Sequence, residues 1–334
     1  MEEFIVGPYK SWNVEGKIIL IKANPKKGFN FDYTIYIPKT INPKTTLIVE
    51  GSNCGPTYDW SREKILDEML KEAIEPGKTG KPIYEMATNL GMPVLYPIFP
   101  KWANKEGPIY NIMLSSNSLN HNTHKLKELG LDRVDLQLIQ MIEDAKLKLK
   151  DLDIEIDKKI IIDGFSASSK FANRFTLLHP EIVKMCIAGG VTGALTLPLE
   201  HINNEKLLWP VGIGNLKELI GEDISINVEE FKKVKQFYYM GMDDENDPFE
   251  AIDAEGILMP KYPELIEPEE LRQMYKYLGN NMTGNRWENT MKFYNELGVD
   301  AIFKSYENVG HNPKSATEDI TCFIQNNINL SKIK

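Results

Sequence analysis

Apolar residues in this chain fall into two alternating patterns, and that alternation narrows the folds open to it. Short continuous runs of strand length occur at residues 46–49, 159–162, 183–188, 237–240 and 301–303. Such runs are typical of strands covered on both faces. A further strand, with prolines near its ends, is expected over 93–99. Between the runs lie stretches with helical spacing. Residues 61–74 carry Ile65, Leu66, Met69, Leu70, Ala73 and Ile74 at steps of three and four. Residues 132–149 carry a broader stripe of Val134, Leu136, Leu138, Ile139, Met141, Ile142, Ala145, Leu147 and Leu149. Two later helices are expected over 269–278 and 288–297. Upstream, 17–22 and 31–38 form an antiparallel hairpin across the turn-rich Asn24-Pro25-Lys26-Lys27-Gly28. Strands that alternate with helices after an initial hairpin imply a mostly parallel twisted sheet with helices on both faces.

At 334 residues, length alone suggests two domains. No repeat, low-complexity stretch or Gly/Ser/Pro-rich linker divides the chain, so it reads as one enlarged domain over 1–334. The extra length gathers in candidate cap or lid insertions at about 195–220 and 247–285. Lys and Arg number 39 against 48 Asp and Glu, a net charge of −9, and the arginines are only Arg62, Arg133, Arg174, Arg272 and Arg286. Nucleic-acid binding needs the opposite balance, because phosphate contacts release counterions only to a positive surface. The opening Met1-Glu2-Glu3-Phe4 lacks a basic, then apolar, leader pattern, and no run approaches membrane-spanning length. Cys54, Cys186 and Cys322 are too widely spaced for a zinc or disulfide framework. A cytoplasmic protein with reduced thiols is the expectation.

The most informative segment is Ile160-Ile161-Ile162-Asp163-Gly164-Phe165-Ser166-Ala167-Ser168-Ser169, an apolar strand running through Gly-x-Ser-x-Ser into a helical pattern. Small residues around Ser166 permit a sharp turn that lifts the hydroxyl above the sheet. The helix that follows points its positive end at the site. Here the chain resembles the α/β-hydrolase superfamily, and within it bacterial esterases and polyhydroxybutyrate-depolymerase-like serine hydrolases. Ser168 stands where a second glycine is usual. The resemblance implies an α/β-hydrolase fold and a nucleophilic Ser166, followed in order by an acid and a histidine.

The strand at 237–240 leads into Gly241-Met242-Asp243-Asp244-Glu245-Asn246-Asp247-Pro248. A Gly-x-x-Asp after a strand resembles the acid loop of that superfamily and points to Asp244, with Asp247 as the alternative acid and Asp243 third. A calcium loop begun at Asp243 fails, since Pro248 falls where glycine is required and Ala254 where the last glutamate belongs. Of the five histidines, only His201 and His311 follow Ser166 at useful distance, and His201 precedes the acid loop. His311, in Val309-Gly310-His311-Asn312-Pro313 after the last strand, is the expected base. His121 and His124 have a spacing that binds metals on helices but sit in a polar loop without a third ligand. His179, before Pro180, reads as a helix-end residue.

Acyl transfer also needs two N–H donors for the developing oxyanion. The resemblance implies Ala167 as one. The loop Glu50-Gly51-Ser52-Asn53-Cys54-Gly55-Pro56 supplies the other from Ser52 or Asn53. Trp102, Tyr110, His121, Trp209, Met259, Tyr262, Tyr275 and Tyr277 lie on long connections expected at the mouth of the site. The reading is a serine hydrolase for a small-molecule ester or acyl substrate, without cofactor or metal, and with neither nucleic acid nor membrane as partner. A peptidase or carbohydrate-ester deacetylase on the same fold, or a noncatalytic ligand-binding relative, would share these features. A dinucleotide-binding enzyme is disfavoured, since no Gly-x-Gly-x-x-Gly follows the first strand.

Overall fold

A computed structural model of the chain describes residues 2–9, 13–53, 61–75, 82–100, 113–221, 224–249 and 266–328. Its main sheet contains β1 (Glu2–Val6), β2 (Gly16–Ile21), β3 (Tyr33–Pro38), β4 (Ile48–Glu50), β5 (Val94–Pro97), β6 (Ile160–Phe165), β7 (Val183–Gly189), β8 (Lys235–Gly241) and β9 (Ala301–Tyr306). Their order across the sheet is β1-β2-β3-β5-β4-β6-β7-β8-β9. The β1/β2, β2/β3 and β3/β5 pairs are antiparallel. Every pair from β5/β4 to β8/β9 is parallel. The carboxyl ends of the parallel strands therefore share one edge, the edge at which open α/β sheets bind ligands.

Seven helices carry the packing argument: α1 (Arg62–Ile74), α2 (Pro82–Leu90), α3 (Val134–Lys150), α4 (Ala167–Leu178), α5 (Pro268–Tyr277), α6 (Trp287–Glu296) and α7 (Thr317–Asn327). Alternation along the strands sorts them into two layers. On β6, Ile160 and Ile162 join a core with Leu138, Met141 and Ala145 of α3, Phe175 of α4 and Tyr294 of α6. Ile161 points the other way, into a core with Ile83 and Met86 of α2 and Ile320 and Phe323 of α7. Burial of each such side chain is worth about 1.5–3 kcal/mol. Both faces of the parallel sheet are thus closed over β4, β6, β7 and β8, which is why these strands read as unbroken apolar runs; β9, at the sheet edge, is not covered on both faces as its 301–303 run suggested, and Ile302 is exposed.

The expected helices at 61–74, 132–149, 269–278 and 288–297 correspond to α1, α3, α5 and α6. The stripe on α3 is narrower than its sequence suggests. Leu136 and Leu147 are exposed, because at 100° per residue they fall on the face opposite Leu138, Met141, Ala145 and Leu149. Three elements are not among those expected from the sequence. The edge strand β1 opens on two exposed glutamates, whereas α2 and α7 do carry helical spacing, Ile83, Met86, Ala87 and Leu90 on the first and Ile320, Phe323 and Ile324 on the second. Among the segments proposed as insertions, Leu195, Leu197, Leu207 and Trp209 pack into the larger core, as do Phe249, Ile266, Leu271 and Met274. Residues 250–265, with Met259 and Tyr262, lie outside the described residues, as do Cys54, Trp102 and Tyr110. Cys186 is buried, and burial pushes its thiol up to about 12, so it behaves as packing. No described helix is long and apolar enough to cross a membrane.

Candidate active site

β6 ends in a sharp turn. Ser166 sits at φ 63° and ψ −122°, a conformation a non-glycine residue adopts only when its surroundings enforce it. The enforcement is visible on both sides. The Ser166 N–H donates to the Gly189 carbonyl at the end of β7 (2.9 Å), and the Ser169 hydroxyl donates to the Ser166 carbonyl (2.5 Å). A Cβ at Gly164 would lie 2.2 Å from the Ser168 carbonyl oxygen, so only glycine lets α4 start this close to its strand. Ser168, in place of a second glycine, is fully buried. Its hydroxyl accepts from the Phe165 N–H and donates to the Phe165 carbonyl, each at 2.9 Å. The departure from Gly-x-Ser-x-Gly therefore reinforces the turn. Ser166 itself remains half-buried at the mouth.

His311 follows β9 and Asp244 follows β8. Sheet order makes these strands neighbours, and the two loops are tied by the Asp243 N–H donating to the Val309 carbonyl (2.9 Å). His311 Nδ1 lies 2.6 Å from Asp244 Oδ2, with the aspartate side chain almost fully buried and the imidazole about a quarter exposed (27%). The other carboxylate oxygen accepts from the Asn246 N–H (2.9 Å). The imidazole lies against the Phe165 ring, with centroids 4.5 Å apart, and Phe165 in turn stacks on Tyr239 of β8 at 6.0 Å. The space beside Gly190, just past β7, is filled by Phe165 and by His311 Cε1. The histidine is thus held beside the residue that precedes Ser166. No hydrogen bond joins Ser166 Oγ to His311; Nε2 instead lies 3.3 Å from Asn246 Nδ2. Ligand-free sites commonly have such loose nucleophile–base geometry.

The remaining acids have other occupations. Asp247 lies on Arg286, whose Nη1 donates to both carboxylate oxygens at 3.0 and 2.9 Å, and both side chains are buried. Asp243 is exposed. On the far side of the elbow, Ala167 is the first residue of α4, so its N–H has no acceptor within the helix. The Gly51–Asn53 loop leaves β4 beside it. The Gly51 N–H donates to the Asp163 carbonyl (2.9 Å), and Asn53 Nδ2 donates to the Phe165 carbonyl (3.1 Å). Ser52 is buried, with its hydroxyl directed at the Phe99 carbonyl at 3.4 Å. Behind the elbow a cavity of about 210 Å³ is lined in part by Glu50, Asn53, Asp163, Phe165, Ser168 and Tyr239. Burial, then the nearby Asp163 and Glu50 carboxylates, push the Tyr239 phenol well above its ordinary range, so it stays neutral.

The other histidines stand apart from this arrangement. His121 Nδ1 meets the Leu219 carbonyl (3.1 Å), His124 opens a short helix, and His201 lies in a two-stranded hairpin. His179 caps α4 and bonds Asp135. No group of three potential metal ligands occurs among the described residues. Sequence reasoning did not single out Asn246 or Arg286. Asn246 had the signal of lying two residues beyond Asp244. Arg286 had none, since only the fold brings it to the acid loop.

No family model matches the chain, and no curated protein matches it. Solved structures do. The poly(3-hydroxybutyrate) depolymerase of Bordetella parapertussis superposes with a TM-score of 0.53 over 96% of this chain and 92% of its own, at 13% identity. The fold is that of the α/β-hydrolases. An S-formylglutathione hydrolase from Agrobacterium tumefaciens aligns over 97% of this chain and 98% of its own, at 11% identity and a TM-score of 0.47. Poly(aspartic acid) hydrolase-1 from Sphingomonas sp. KT-1 aligns over 96% and 97%, at 12% identity and the same score. At 13% identity the likeness to the first of these supports the α/β-hydrolase fold alone and leaves the chemistry to the residues.

Proposed function

We propose that the protein is a serine hydrolase that cleaves an ester-type acyl bond through Ser166, His311 and Asp244. The observation that carries this reading is the His311–Asp244 pair, 2.6 Å apart, set against the strained Phe165–Ser166 turn by loops from two adjacent strands. A buried carboxylate on Nδ1 fixes the imidazole tautomer with its lone pair on Nε2. In the reaction, Nε2 takes the Ser166 hydroxyl proton as Oγ bonds to the carbonyl carbon. The negative charge that moves onto the carbonyl oxygen is met by the Ala167 N–H and by an N–H of Ser52 or Asn53. Asp244 stabilises the imidazolium. The proton then passes from Nε2 to the departing alkoxide, and the carbon–oxygen bond breaks to leave an acyl-Ser166. Water, deprotonated by the same nitrogen, releases the acid and restores the serine. These steps draw on no cofactor.

The substrate class we propose is a small-molecule ester rather than a peptide or an acetylated carbohydrate. It is tested with p-nitrophenyl esters of graded chain length beside peptide and acetylated-sugar substrates. The nucleophile is tested with a fluorophosphonate probe. We expect wild-type protein to be labelled and Ser166→Ala to be blank; labelling of the variant at the wild-type level overturns the assignment.

A further inference from the structure

Asn246 touches the acid and the base at once. Its backbone N–H donates to Asp244 Oδ1 at 2.9 Å, and its side-chain Nδ2 lies 3.3 Å from His311 Nε2. The chemistry of the contact is determined by the opposite side of the ring. The Asp244 carboxylate is an acceptor, so Nδ1 carries the proton and Nε2 offers only a lone pair. An amide nitrogen is a donor. The Asn246 carboxamide therefore satisfies the atom that, in the proposed reaction, receives the Ser166 proton.

The loop that presents this amide is anchored. Asp247, the next residue, is clamped by the buried Arg286. Arg286 also donates to the carbonyls of Gly193, Gly279 and Asn280, which belong to other connections. The Asp247 carboxylate in addition accepts from the Phe249 N–H at 3.1 Å. Asn246 is thus an exposed side chain on a fixed backbone, bracketed by two buried aspartates. Its amide is free to swing while its own N–H stays on Asp244. Around the imidazole the structure places Asp244, Asn246, Phe165 and the backbone at Gly190, of which only Asp244 is charged.

We propose that Asn246 caps the general base in the resting enzyme, its amide holding Nε2 until the seated substrate brings the Ser166 hydroxyl to replace it. The proposal rests on the Ser166–His311–Asp244 reading and adds a residue to it. Binding and activation are then linked: Nε2 exchanges one hydrogen bond for another, and the empty site does not present a fully available base.

The test is Asn246→Ala, which removes the carboxamide and keeps the backbone donor to Asp244. A neutral hydrogen bond contributes on the order of 1 kcal/mol, equivalent to about fivefold in rate. On the high-pH plateau, fluorophosphonate labelling of Asn246→Ala is expected to run about fivefold faster than wild type. A merely structural role would slow labelling or leave it unchanged, and either result overturns the proposal. A readout that needs no turnover is the 15N resonance of His311 Nε2, identified by its loss in His311→Gln: it shifts in Asn246→Ala if the amide caps it, and an unmoved resonance overturns the cap. The two layers separate cleanly. Labelling that survives Ser166→Ala defeats the hydrolase reading, whereas Ser166-dependent labelling with unchanged Asn246→Ala behaviour defeats only the cap.

Discussion

The acid-rich stretch after β8 offers three aspartates, and replacing Asp247 by asparagine separates their roles. Among the described residues the carboxylate of Asp247 is the only acidic partner of Arg286, and neither side chain has appreciable access to water. Asp247→Asn keeps the shape and one acceptor oxygen but removes the charge. Breaking a buried pair by neutralising one member costs about 3–5 kcal/mol, because the surviving ion stays desolvated without compensation. Arg286 retains three carbonyl acceptors, so the lower end, about 3 kcal/mol, is expected. For a chain of this length that corresponds to a melting temperature lower by about 4 °C. Urea unfolding should show the midpoint falling with little change in slope. Arg286→Met on top of Asp247→Asn should recover part of the loss, since it removes the stranded charge. At temperatures where the variant is folded, turnover per molecule should stay within about tenfold of wild type, because Asp247 points at Arg286 and not at His311. An Asp247→Asn protein as stable as wild type, with turnover reduced a thousandfold, would refute this reasoning and make Asp247 the acid.

Asp244→Asn should do the reverse: turnover on p-nitrophenyl esters falls by about 10³–10⁴, as an amide on Nδ1 favours the wrong imidazole tautomer, while the urea midpoint moves little. Asp135 tests the acid limb of stability. Burial alone would raise its carboxyl, but hydrogen bonds from His179 and Arg133 outweigh that and hold it at about 2, against 3.8 for an unperturbed aspartate. A depressed folded-state value contributes stability that is present above pH 3.8 and lost as pH falls through about 2. Asp135→Asn should therefore be less stable than wild type by about 2 kcal/mol at pH 7, and urea melts should show the gap closing between pH 4 and pH 2.

The parts legible in the sequence are those whose physics is local. Ile160, Ile161 and Ile162 read as a buried strand because both faces of the sheet are covered. The turn after them reads from Gly164 and Ser166 because a close strand-to-helix approach excludes bulk within a few residues. His311 could be chosen by order along the chain, and sheet order then sets it beside Asp244, since the strands that precede them pair in parallel. What could not be read locally depends on partners far apart in sequence. Leu136 and Leu147 look like core until the neighbours of α3 define which arc is covered. Ser168 looks like a weakened motif until its hydroxyl is found bonding both backbone groups of Phe165. The choice between Asp244 and Asp247 is the sharpest case. The two residues are three apart, of the same type and equally buried, and nothing local distinguishes them. Arg286, almost forty residues downstream and brought in by the segment before α6, gives Asp247 its counter-ion, while His311 meets Asp244. One carboxylate holds the loop and the other meets an imidazole, so in the proposed reaction the stability of the acid loop and the chemistry of the acid fall to different residues of one turn.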